Sequence, residues 1–138
     1  MLGKPGMFLF SGYDYFGRMG LSESSIIYLC TPSVAHLVLY DQNNNDNLFD
    51  ILYNYLLNGR NANKTSECLY MHRNTLNKKL RKIRSIMPID IEDPNNLFIL
   101  LFSCITIHYY IHVLGKTIPA TIESNGGLFA MNLFDDEL

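Results

Sequence analysis

One short basic segment, Gly59 to Arg84, limits what this chain can fold into more than any other part of it. Two helical patterns meet there across a tight break. Asn61 can cap the first, because its side-chain oxygen can accept from a backbone N–H two or three residues on, and the pattern then runs to about Leu69. Thr65 and Ser66 fall with Leu69 on the inner face, where small side chains let a second helix cross closely. Tyr70 and Met71 occupy the break. The second pattern starts near His72, with apolar positions at Leu76, Leu80, Ile83 and Met87, a spacing that lines one helical face. Arg73, Asn74, Asn77, Lys78, Arg81 and Lys82 fall on its other faces. A buried stripe opposed by a cationic, amide-bearing surface predicts the second member of a helix-turn-helix.

Charge strengthens that reading. Eight of the chain's 11 Lys and Arg residues lie between Arg60 and Met87 beside a single acid, Glu67, a net +7. The remainder holds three basic and 12 acidic residues, a net −9, so the whole-chain value of −2 hides a polarised molecule. A patch this concentrated is the electrostatic footprint of a phosphate-backbone partner, and double-stranded DNA is the expected one. A merely solvated helix face is the plainer alternative; placement on the second helix of a tight pair favours DNA.

The segment Thr65-Ser66-x-x-Leu69-x-Met71-His72-Arg73-Asn74-Thr75-Leu76-x-x-Lys79-Leu80-x-x-Ile83 resembles the C-terminal helix-turn-helix of PucR-family transcription regulators, whose pattern is close to T-A-x-x-L-x-V-H-R-N-T-L-x-x-R-L-x-x-I. It is more distantly similar to the DNA-binding end of the factor for inversion stimulation. Ser66 replaces a usual alanine and stays small enough for the crossing; Lys79 replaces a common arginine, keeping the charge while losing the forked geometry. The resemblance implies an all-α fold, a helix-turn-helix with flanking helices, in a bacterial-style regulator. It extends from about Tyr13 to His112, because Tyr13-Asp14-Tyr15-Phe16, Leu39-Tyr40-Asp41 and the connector Ile89 to Pro94 look like family phrases. On that basis residues 1–45 are expected to be the end of an upstream regulatory region, 46–114 the DNA-binding domain and 115–138 a tail.

Helix-turn-helix proteins set the second helix in the major groove with its N-terminal residues towards base edges, here a recognition helix of about 72–86. His72, Arg73, Asn74 and Asn77 are the candidates for base readout, since arginine can pair in a fork with guanine and asparagine with adenine. Asn61, Lys64, Thr75, Lys78, Arg81 and Lys82 are candidates for phosphate contacts, Thr75 with the weakest case because its hydroxyl can bond back into its own helix.

Flanking segments should support this pair. Ser22 is a plausible cap for a helical pattern carrying Ile26, Ile27 and Leu29, which Pro32 breaks. Val34, Leu37 and Val38 predict a second short helix ending before Asp41, and the polar run Asp41 to Asn47 reads as a loop. Leu48, Leu52, Tyr55 and Leu56 line a helix over Leu48 to Leu57, closed by a left-handed stop at Asn58-Gly59. Pro88 ends the basic helix, and Asp93 with Pro94 signals a new start. Leu97 to Leu114 follows, about 27 Å long as helix at roughly 1.5 Å per residue. Its Ser103, Thr106, His108, Tyr109, Tyr110 and His112 argue against a membrane span, and a core or homodimer-interface helix is expected instead.

With 48% hydrophobic residues the chain has material for a core. Cys30, Cys68 and Cys104 lack metal-ligand spacing and read as reduced core thiols in a cytoplasmic protein. His108 and His112 share a helical face without a Cys, Asp or Glu close in sequence, so a packed pair is expected rather than a metal site. No cofactor is expected. The Gly-rich phosphate loop, HExxH, G-x-S-x-G and paired carboxylates on one helix face are all missing, so catalysis is not expected. A helical dimerisation or protein-interaction module, its basic face docked on acidic protein, is the competing reading.

Overall fold

The computed structural model describes residues 23–119, and among them five α-helices and no strand make an all-α fold. The Ser22 cap, the Tyr13 to Phe16 phrase and the tail beyond Pro119 lie outside the described residues.

A 3-10 helix, Glu23–Leu29, leads in, with Ile26 and Ile27 buried. Helix α1 spans Pro32–Asn44 with the proline in its first turn, where the missing N–H costs nothing. Val34, Ala35, Leu37 and Val38 are its buried face. It runs on past its expected end before Asp41, and the polar run to Asn44 is helix rather than loop. The physical reason is that the stop signal sits later: Asn45 takes the left-handed conformation, φ 50°. Asp41, inside α1, accepts the Leu48 and Phe49 N–H groups at 2.8 Å each, so one carboxylate caps the next helix. Burial raises its pKa above the usual carboxylate range despite those two bonds.

Helix α2, Leu48–Leu57, buries seven of its ten residues. It touches each of the other four α-helices, which makes it the axis of the described residues. It stops at Gly59, φ 65°, followed by Arg60, φ 61°; glycine suits the first position because left-handed backbone crowds a Cβ. At the second, the Arg60 guanidinium is held by the Glu92 carbonyl oxygen at 2.6 Å.

Helices α3, Ala62–Cys68, and α4, Arg73–Ile86, come next. After α4 the connector buries Ile91, and Asp93 caps a 3-10 turn at Pro94–Asn96 by accepting the Asn95 N–H at 2.9 Å. Helix α5 covers Leu97–His108 and continues as a π-helical turn, Tyr109–Val113. The stretch Pro94–Val113 is long and apolar enough to cross a membrane by length and composition, with a mean hydropathy of 1.5. It packs against α1, α2 and the leading 3-10 helix, and even its Ser103 and Thr106 are fully buried. Ser103 Oγ accepts the Thr31 N–H at 2.8 Å and Thr106 donates to the Phe102 carbonyl, so both buried hydroxyls are partnered.

Cys30 and Cys104 are core thiols, while Cys68 is half-buried at the end of α3. Burial pushes the Cys30 thiol up to about 12 and Cys104 also upward, so neither supplies thiolate near neutral pH.

Candidate nucleic-acid interface

The geometry of the α3–α4 pair begins with its caps. Asn61 Oδ1 accepts the Lys64 N–H at 3.0 Å and opens α3. Thr65 faces inward with no exposed surface, its hydroxyl donating to the Asn61 carbonyl at 2.7 Å, and the half-buried Ser66 hydroxyl turns back to Asn63. Small residues here let α4 cross close by. The chain reverses at Tyr70, φ 51°, and Met71 N–H returns to the Ser66 carbonyl at 2.9 Å. His72 then caps α4, its Nδ1 accepting the Asn74 N–H at 3.1 Å, which requires a neutral ring with the proton on Nε2. Leu76, Leu80, Ile83 and Met87 are buried, fixing the roll of α4.

That roll leaves the other side open. Arg73, Asn74, Thr75, Lys78 and Arg81 are exposed, and among the described residues their side chains are unpartnered. Asn77 is half-buried at the centre of this face. Asn74, Asn77, Lys78, Arg81 and Arg84 line one shallow groove of about 510 Å³. Lys64 is exposed on α3. Thr75 makes no bond back into its helix among the described residues. Nine of the ten candidate residues are thus available at the surface, Asn61 and His72 with one side-chain atom committed to a cap.

Lys82 is different. Its ammonium lies 2.9 Å from Asp46 Oδ2 and 5.4 Å from the centre of the Tyr40 ring. Lys79 meets the other oxygen of Asp46 at 2.7 Å, and these two ammonium groups hold the Asp46 carboxyl far below the usual carboxylate range. Arg84 pairs with Glu92 at 2.6 Å, where Tyr55 also donates at 2.8 Å. Two features escaped the sequence reading. Asp46 gave no local signal, since its partners lie 33 and 36 residues away. Tyr70 was placed in the turn, but its 95% exposure follows only from the left-handed backbone there.

His108 and His112 meet at a tilt of 41° with ring centres 4.7 Å apart, and His108 also meets Tyr53 at 5.7 Å, tilted by 59°. Burial, then the neighbouring His112, lowers the His108 pKa. Among the described residues no three His, Cys, Asp or Glu side chains converge as a metal site.

A capped short helix, a left-handed turn and a longer helix rolled by a narrow apolar stripe define a helix-turn-helix domain. Residues 48–106, from α2 into α5, match the model of the PucR C-terminal helix-turn-helix domain. Over 66 residues, 48% of this chain, it is 33% identical to the DNA-binding transcriptional activator AdeR of Bacillus subtilis (strain 168). The matched stretch is 16% of that relative's length. No solved structure gives a significant match.

Proposed function

We propose that this chain binds double-stranded DNA as the helix-turn-helix part of a transcription regulator, with α4 in the major groove. The observation that carries the proposal is the open face of α4, where Arg73, Asn74, Thr75, Lys78 and Arg81 are exposed and unpartnered among the described residues while the opposite stripe is buried. The name of the Bacillus subtilis relative, a DNA-binding transcriptional activator, supports the same reading. Arg73, Asn74 and Asn77 read base edges, joined by His72 through the nitrogen not used for capping. Lys64, Lys78 and Arg81 neutralise phosphates, with Asn61 and Thr75 as neutral contacts beside them. This reading makes the chain a non-enzyme of the cytoplasm, with 46–114 as its DNA-binding domain between the end of an upstream region and a tail.

A homodimer is part of the proposal. Phe98 and Val113 stand exposed on the apolar helix α5 and its π-helical continuation, and two-fold assembly matches paired half-sites on DNA. Sedimentation of the full chain tests it: a species of twice the monomer mass is expected, and a monomer at all concentrations contradicts it.

Titration of the full chain with random-sequence duplex DNA across a salt series tests the DNA reading. Affinity falling linearly with salt on logarithmic axes is expected. Absence of binding even at low salt favours instead a protein-interaction module using the same basic face.

A further inference from the structure

The cations of this domain divide into two sets, and one carboxylate makes the division. Asp46 sits in the corner between α1 and α2, its side chain only 8% exposed. Lys79 and Lys82, three residues apart on the flank of α4, each reach one of its oxygens. Oδ1 also accepts the Asn47 N–H at 2.8 Å, which anchors the carboxylate to the backbone. The Tyr40 ring beneath Lys82 adds a second hold on that ammonium. Lys82 nevertheless lies on the same turn-to-turn row as Thr75 and Lys78, the row that looks outward.

We infer that Asp46 competes with DNA phosphate for Lys79 and Lys82, and so restrains sequence-independent binding by the α4 face. The inference rests on the DNA-binding reading above. A carboxylate and a phosphodiester each offer one negative charge on two oxygens, and a lysine stem is flexible enough to exchange one for the other. Phosphate contacts carry no sequence information, whereas Arg73, Asn74 and Asn77 are untouched by Asp46. Keeping two ammonium groups away from phosphate therefore lowers affinity for every sequence alike and leaves base readout in place. Specific binding then stands out further above the background.

The test is the salt dependence of binding to random-sequence duplex DNA by full-length Asp46→Asn. Asparagine keeps the size and can still accept the Asn47 N–H, but carries no charge. Because each neutralised phosphate contributes about 0.9 to the logarithmic salt slope, the slope should steepen by about one to two, with roughly tenfold tighter binding at low salt. Lys79→Met/Lys82→Met in the otherwise unchanged chain should leave the slope as it was. Adding those two changes to Asp46→Asn should return it to the original value. An unchanged slope for Asp46→Asn overturns the inference, as does a slope flattened by Lys79→Met/Lys82→Met. Should Asp46→Asn fail to fold, the lysine pair alone decides. Lys78→Ala separates the two levels: if it flattens the slope while Asp46→Asn has no effect, DNA binding stands and only the role of Asp46 falls. If the unaltered chain and Lys78→Ala both fail to bind, the two fall together.

Discussion

Helices α4 and α5 are nearly equal in length and opposite in character. In α4, 14 residues long, packing uses a stripe of three, Leu76, Leu80 and Ile83, with Met87 just beyond. Apart from the half-buried Ile86 at its end, everything else on it is polar, and most of that polar surface has no role in holding the fold. In α5, 12 residues long, six are buried, including Ser103 and Thr106, and what remains outside is, the half-buried His108 apart, again apolar, Phe98 above all. The difference teaches where function can reside. A helix fixed by a narrow stripe can present free side chains to a partner, whereas a helix buried around most of its circumference is occupied with cohesion.

The largest expected effects probe whether both helices are equally built into the core. Leu76→Ala on α4 and Leu100→Ala on α5 remove fully buried side chains, and each should cost about 2 to 5 kcal/mol in urea unfolding. A small cost at Leu100 alone would mean that α5 finds its cover outside the chain. Next comes Arg73→Ala on the open face of α4. It should cost about 1 to 3 kcal/mol of binding to the cognate duplex and relax sequence preference, while stability moves within about 0.5 kcal/mol. Equal losses on cognate and random duplex would remove Arg73 from base readout. Asn61→Ala deletes the cap that starts α3 and should lower stability by about 1 kcal/mol, read in the same urea transition.

Acid should divide the two regions by pH. His108 beside α2 has a folded pKa below its unfolded one, so the unfolded chain takes up that proton first, and stability begins to fall below pH about 6.5. Asp46 on the α4 flank has its folded pKa depressed; its contribution is complete above pH about 4 and is lost as pH falls further. His108→Gln should abolish the first step and leave the second, in unfolding measured across pH. Loss of both steps together would mean that the two sites titrate as one.

Much of this fold was legible because local chemistry and tertiary packing agree. The stripe from Leu76 to Met87, the Asn61 cap, the Gly59 stop and the Asp93-Pro94 start all stand where spacing put them. Asp41 to Asn44 is helix although its sequence reads as loop, because exposed polar residues at a helix end look like loop. Only the left-handed Asn45 marks the true boundary, and with asparagine at four of the seven positions from Asp41 to Asn47 the composition does not single it out. The turn type at residues 109–113 was equally hidden, since α and π turns share the same apolar composition. At the interface, the outward row on α4 followed from periodicity alone. That Lys82 is held by Asp46 did not, because an ion pair between distant segments leaves no mark on either one's pattern.

The most direct test of the central claim, that the free cations of α4 meet DNA phosphate without serving the fold, is the double variant Lys78→Ala/Arg81→Ala. Its salt slope on random duplex should be shallower by about two, with an unfolding midpoint that does not move. An unchanged slope, or a slope change that appears only together with lost stability, would contradict the account.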